Sequence, residues 1–125
     1  MESSVYGNTN GQLVVYFHGA PGDINESSLF DEHAKKYNLK ILCFNRFLVQ
    51  SKEPHADYFH KLAEEIKSQA DGKPVDIIGF SIGTYIALKV CELISDQIRN
   101  VHLISAVAPL GDGKLLDDMA GGISF

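Results

Sequence analysis

The 125-residue sequence has no tryptophan and only two cysteines. Cys43 and Cys91 are far apart, and each sits in an apolar stretch. They are expected as buried thiols in a reducing compartment, not as a disulfide framework. No C-x-x-C occurs and no His/Cys/carboxylate group has metal-site spacing, so no metal is expected. No apolar run approaches the ~20 residues needed to span a bilayer. The opening MESSVYGNTNGQ lacks the basic region and apolar core of a secretory signal. The expectation is a cytoplasmic chain with no membrane span. Positive charge is outweighed: 11 Lys and Arg stand against 16 Asp and Glu, a net charge of −5. That argues against nucleic acid as a partner, because polyanions repel such a surface. Neither G-x-x-x-x-G-K-[ST] nor G-x-G-x-x-G is present, so no nucleotide module and no cofactor are expected.

The rest of the sequence fits one globular α/β domain over residues 1–125. Apolar residues make up 45% and charged residues 22%, a balance typical of soluble domains. Leu13 to Phe17 is a continuous apolar run, read as a buried strand. The loop His18-Gly19-Ala20-Pro21-Gly22-Asp23 ends it. A helix is expected from Ser27 or Ser28 to Tyr37, with Ser28 as cap and Phe30, Ala34 and Tyr37 on one face. Asn38 is a plausible left-handed stop. Lys40 to Phe44 reads as a second strand, and Asn45 to Glu53 as irregular. Pro54 opens a helix to about Ala70 with Phe59, Leu62, Ala63 and Ile66 inward. After a turn at Asp71-Gly72, Val75 to Gly79 is a third strand. Ile82 to Ile94 is a helix apolar on most sides, and Val101 to Val107 a fourth strand. Residues 1–12 are expected as a hairpin piece or a flexible segment, and 110–125 as an irregular tail. Alternating apolar strands and helices imply a three-layer α-β-α fold with a mostly parallel sheet of about four parallel strands. In such sheets ligands gather at the carboxyl ends of the strands.

Two of those strand ends carry chemistry. The stretch VDIIGFSIGTYIAL sets Ser81 between Gly79 and Gly83 where a strand meets a helix. A serine hydroxyl is a weak nucleophile unless activated. A sharp strand-to-helix turn raises it above the sheet and aims the next backbone N–H, that of Ile82, at the same space. Such a turn needs small residues two positions either side. VVYFHGAPGD, ILCFNR and DIIGFSIGTYIAL, in that order, resemble the α/β-hydrolase family over residues 12 to 109. The resemblance implies that Ser81 is the nucleophile. It implies that the N–H groups of Ala20 and Ile82 form the oxyanion hole. It gives His18 and Gly19 a structural role at the site, along with Gly79 and Gly83.

The chain departs from that family in other places. The family's order is nucleophile, then acid, then histidine. Four of the five histidines (His18, His33, His55 and His60) precede Ser81. His102 is expected to open the fourth strand, about 20 Å from the elbow. Asp112, Asp117 and Asp118 read as solvated loop carboxylates. The loop Asn45 to Ser51 lacks the glycines common in relatives. The chain ends just after the strand that resembles the family's sixth. It is therefore expected to be a serine hydrolase core for small esters, thioesters or amides, inactive alone. The other reading is a non-catalytic or interaction protein. Both edge strands are expected to be unpaired, which favours a homo-oligomer or swapped dimer.

Overall fold

The computed structural model describes residues 2–19, 23–44 and 55–105, with backbone alone for 55–57. The expectations placed on the loop 45–53, on Ala20 and on the tail 110–125 lie outside them. Five strands form one sheet: β1 (Ser3–Gly7), β2 (Gln12–Phe17), β3 (Leu39–Phe44), β4 (Val75–Phe80) and β5 (Ile98–Ile104). Their spatial order is β1-β3-β2-β4-β5. The four strands β3, β2, β4 and β5 are mutually parallel, while β1 runs antiparallel to β3. Helix α1 (Asp31–Lys36) lies against one face, and α2 (His55–Ala70) and α3 (Gly83–Leu93) pack on the other. This is the three-layer architecture the alternation of elements implied.

β2 sits at the centre because both its faces are apolar. Leu13, Val15 and Phe17 point toward α2 and α3, where they join Leu62, Ile66, Ile77 and Val90 in the main core. Val14 and Tyr16 point the other way, onto Ala34, Ile41 and Cys43. Strand alternation thus lets one apolar run feed two cores. On α2, Leu62, Ala63 and Ile66 are buried as the helical stripe requires. Tyr58 and Ala70 extend that stripe, and Phe59 is half-buried and packs edge-on to Tyr85. Fully burying a Leu or Ile side chain contributes about 1.5–3 kcal/mol, so this stripe holds α2 to the sheet.

Four expectations are corrected. The first helix begins as a 3-10 segment, Ile24–Phe30, and Asp23 rather than Ser28 caps it, its carboxylate accepting from the Asn25 N–H. The α-helical part then ends at Lys36, so Tyr37 falls outside the inward face and is 63% exposed. Asn38, at φ 57°, is the expected left-handed stop. Second, residues 3–7 form neither a hairpin with β2 nor a flexible segment. They add a strand to β3, with Ser3 opposite Phe44 and Gly7 opposite Lys40. Third, the β3 edge is therefore paired, and the outer strands are β1 and β5. Fourth, β5 starts at Ile98, opposite Val75, rather than at Val101. Arg99 and Asn100 look too polar for a parallel strand, but both bond the Asp76 carboxylate on β4. The two thiols are free; Cys43 is buried and Cys91 only half-buried.

Candidate active site

The junction of β4 and α3 is built on a constrained backbone. Ser81 has φ 55°, in the left-handed region that costs a non-glycine residue about 1–3 kcal/mol. Its neighbours leave no room for a side chain. A Cβ on Gly83 would lie 2.1 Å from the Phe17 carbonyl oxygen and 2.7 Å from that of His18. A Cβ on Gly79 would lie 2.9 Å from the Thr84 Cα and 3.1 Å from the Ala87 Cβ. The glycines are there because α3 starts while still pressed against β2 and β4.

The turn's polar groups are tied on both sides of the serine. The Ser81 N–H donates to the Ile104 carbonyl at 2.9 Å, across to the end of β5. The Ser81 carbonyl accepts from the Thr84 N–H at 3.0 Å and from the Thr84 hydroxyl at 2.7 Å. Ile82 is already helical, at φ −63° and ψ −22°, and α3 has no side-chain N-cap. Nothing among the described residues accepts from the Ile82 N–H. It is one of the unpaired donors that every helix start leaves.

The loop after β2 comes to the same place. A Cβ on Gly19 would meet the Ser81 Cβ at 3.3 Å and the Phe80 ring at 3.0 Å, so Gly19 lies directly against the serine. His18 is 1% exposed, and its Nδ1 is 2.9 Å from the Gly19 carbonyl. A carbonyl only accepts, so Nδ1 carries the proton in this contact. Of the sequence-designated residues, His18, Gly19, Gly79, Ser81, Ile82 and Gly83 are thus brought together.

Other reactive groups are placed elsewhere. Cys43 is fully buried, and burial, with the Glu26 carboxylate next in weight, pushes its thiol up to about 12. Tyr16 donates to Glu26 Oε1 at 3.1 Å, and burial followed by that carboxylate raises its hydroxyl well above the usual range. Both stay protonated at neutral pH and make poor nucleophiles. His102 is not at the start of its strand. It is paired with Ile78, roughly 10 Å along the sheet from Ser81 instead of 20 Å. Its side chain lines a groove of about 200 Å³ on the α1 face, with His33, Phe30, Ile41 and Asp76. His60 is exposed on α2.

Sequence reasoning missed Thr84, the Ile104 carbonyl and the Tyr16–Glu26 pair. A signal existed for the first, since a threonine three residues into a helix commonly bonds back to the carbonyl three before it. No local signal marks the other two, whose partners lie distant in sequence.

No family model and no curated protein matches the sequence. Solved structures do match. A thioesterase domain from the curacin biosynthetic pathway superposes with a TM-score of 0.74 at 12% identity, covering 92% of this chain and 45% of that one. A carboxylesterase structure from Nitrososphaera gargenis gives 0.71 at 16% identity, covering 94% and 45%. An esterase from Exiguobacterium antarcticum gives 0.64 at 26% identity, covering 86% and 41%. The chain therefore shares the fold of α/β hydrolases, and it spans about half the length of the structures it matches.

Proposed function

We propose that the chain is the nucleophile-bearing part of a serine hydrolase acting on esters or thioesters, with amides as a further class. The observation that carries this is Ser81 at φ 55° between two glycines that tolerate no Cβ. Strain of that kind persists only where the surroundings over-determine it, and it concentrates at functional turns. The Ser81 hydroxyl attacks the substrate carbonyl carbon, and the carbonyl oxygen becomes an oxyanion. The N–H groups of Ile82 and Ala20 receive that oxyanion; one such donor is worth ~2.7–4 kcal/mol in the transition state. Collapse expels the alcohol or thiol, and water then releases the acyl group from Ser81. The names of the matched structures, esterases and a thioesterase, support that substrate class.

A base must take the serine proton. His102 lies on the α1 face, and His18 Nδ1 is engaged with the Gly19 carbonyl. The base and its acid therefore come from outside the described residues. Losing the base of such a constellation costs about 10⁶ in rate, leaving ~10³–10⁴ over water. A chain without that base is a poor catalyst. The test is labelling by a fluorophosphonate probe, with and without added imidazole as a substitute base, beside Ser81→Ala. Slow labelling that imidazole accelerates and Ser81→Ala abolishes is expected. Equal labelling of both proteins, or none of either, sinks the reading.

A second reading is favoured by one observation. Along β5, Val101, Leu103 and Ile104 are 39%, 41% and 45% exposed at the sheet edge. On this reading the chain is an interaction protein in which β5 pairs with β5 of a second copy. An antiparallel pairing centred on Val101 sets Arg99 opposite Leu103, so no like charges face each other. Sedimentation equilibrium should show a dimer at micromolar concentration that Leu103→Arg disperses. A monomer throughout the micromolar range overturns it. Free thiols and the absence of a membrane-crossing helix among the described residues fit a cytoplasmic setting for either reading.

A further inference from the structure

We infer that Thr84 is a positioning residue for the oxyanion donor: its hydroxyl locks the Ser81–Ile82 peptide so that the Ile82 N–H faces the reacting oxygen. The consequence for catalysis rests on the serine-hydrolase reading, whereas the geometry does not.

A trans peptide is planar, and its C=O and N–H point in opposite directions. Whatever holds the Ser81 carbonyl therefore sets the direction of the Ile82 N–H. That carbonyl has two lone pairs, and Thr84 fills both, with its N–H at 3.0 Å and its hydroxyl at 2.7 Å. The carbonyl is drawn down into the first turn of α3. The Ile82 N–H is left pointing out of the helix start, where nothing among the described residues accepts from it. The same peptide follows a residue at φ 55°, a conformation with a standing tendency to relax. The simplest relaxation is rotation of the Ser81–Ile82 peptide, which would carry the N–H inward and present a carbonyl to the oxyanion.

The Thr84 N–H alone opposes that rotation with one hydrogen bond, and the hydroxyl adds a second. Because Thr84 is 1% exposed, water cannot replace the bond that rotation would break. Space reinforces the point. The Thr84 Cα sits 2.9 Å from where a Gly79 Cβ would be, so the residue is seated against β4 and the hydroxyl is delivered at a fixed height. Thr84 is placed by its bonds to the Ser81 carbonyl and by its approach to Gly79. It acts through the peptide it holds.

The experiment compares the 125-residue chain with Thr84→Val, which keeps the shape and loses the hydroxyl, and Thr84→Ser, which keeps the hydroxyl. Two readouts are taken: the Ile82 amide signal and its hydrogen exchange by NMR, and fluorophosphonate labelling of Ser81 in imidazole. In Thr84→Val the Ile82 amide should shift and lose its single well-defined signal. The maximal labelling rate should fall about tenfold, the worth of one hydrogen bond, with the concentration for half-saturation little changed. Thr84→Ser should restore both. An Ile82 amide that is the same in the wild type and Thr84→Val overturns the inference, as does Thr84→Ser failing like Val. If the wild type shows no Ser81-dependent labelling, the hydrolase reading falls and the Ile82 amide still decides the role of Thr84. If Thr84→Val does not fold, Thr84→Ala against Thr84→Ser reads the same hydroxyl.

Discussion

The two outer strands of the sheet are finished in opposite ways. β1 is short and polar, and side chains bolt it to the α1 layer. Ser4 Oγ donates to the Ile24 carbonyl at 2.5 Å, Tyr6 Oη to Asn25 Oδ1 at 2.7 Å, and the Gly7 N–H to Asp31 Oδ1 at 2.7 Å. β5 carries four apolar residues among seven and is exposed along most of its length among the described residues. Among the described residues, polar groups fasten it near its two ends, through Arg99 and Asn100 to Asp76 and through the Ile104 carbonyl to Ser81. Every residue from Arg99 to Ile104 is exposed. An apolar strand ordinarily lies inside a parallel sheet, with both faces covered. The difference teaches that β1 is bonded down along its length, whereas β5 leaves Val101, Leu103 and Ile104 exposed at the edge of the described sheet.

The comparison breaks most severely at Gly7. It closes β1 at φ +88°, and a Cβ there would lie 2.4 Å from the Leu39 carbonyl oxygen and 2.6 Å from the Ala34 Cβ. Gly7→Ala therefore combines a left-handed backbone penalty with overpacking. It should cost about 3 kcal/mol in urea unfolding, and β1 amides should exchange fastest in the variant. A loss under about 1 kcal/mol would mean that β1 is not fixed as described.

A smaller effect is expected at the fastening of β5. Asp76 is nearly buried and takes two bonds from Arg99 and one from Asn100. Asp76 in turn raises the Arg99 pKa. Arg99→Ala leaves the carboxylate with Asn100 alone. Hydrogen bonds to a charged group are among the stronger ones, and exposure of the guanidinium to solvent discounts the loss. The loss should appear in urea melts together with faster hydrogen exchange over Ile98–Val101. Unchanged exchange there would show that strand pairing alone holds β5.

The same contrast explains what the sequence could be read for. β2, β3 and β4 were legible because their apolar runs are buried whatever surrounds them. The elbow was legible because its constraint is local: strand, serine and helix start lie within a few residues, and Gly79 and Gly83 answer to backbone they almost touch. The sheet's ends were not legible. SSVYG becomes a strand only because the β3 edge accepts it, and Arg99 and Asn100 become strand residues only because Asp76 lies beside them. His102 was misplaced for the same reason, since the start of β5 is set by Val75 rather than by hydrophobicity. Away from the elbow, the Tyr16–Glu26 pair joins groups from a strand and a 3-10 segment that no spacing rule connects.

Acid should loosen the β1 end. The Gly7 N–H, and then the Lys35 ammonium, hold the Asp31 carboxyl below the usual carboxylate range. A folded-state pKa below the unfolded one gives stability that is present above about pH 4, the unfolded value. That stability is lost as pH falls through the folded pKa. Asp31→Asn should match the wild type at low pH and fall short of it near neutrality. The measurement is thermal unfolding from pH 2 to 7. Parallel curves for the two proteins would show that the Gly7 bond contributes nothing net.

The smallest effect on stability is expected on the exposed apolar surface of β5. Leu103 is paired with Gly79 and lies on the face that α3 only partly shields. Leu103→Ser removes a side chain already 41% exposed, so unfolding free energy should change by no more than about 0.5 kcal/mol. If Leu103→Ser instead costs about 2 kcal/mol or more in a protein shown to be monomeric, β5 is already covered within the chain. The contrast between the two edges would then belong to the described residues alone. If it costs nothing in a monomer yet lowers the melting temperature in a concentration-dependent way, the missing contact is with a second copy.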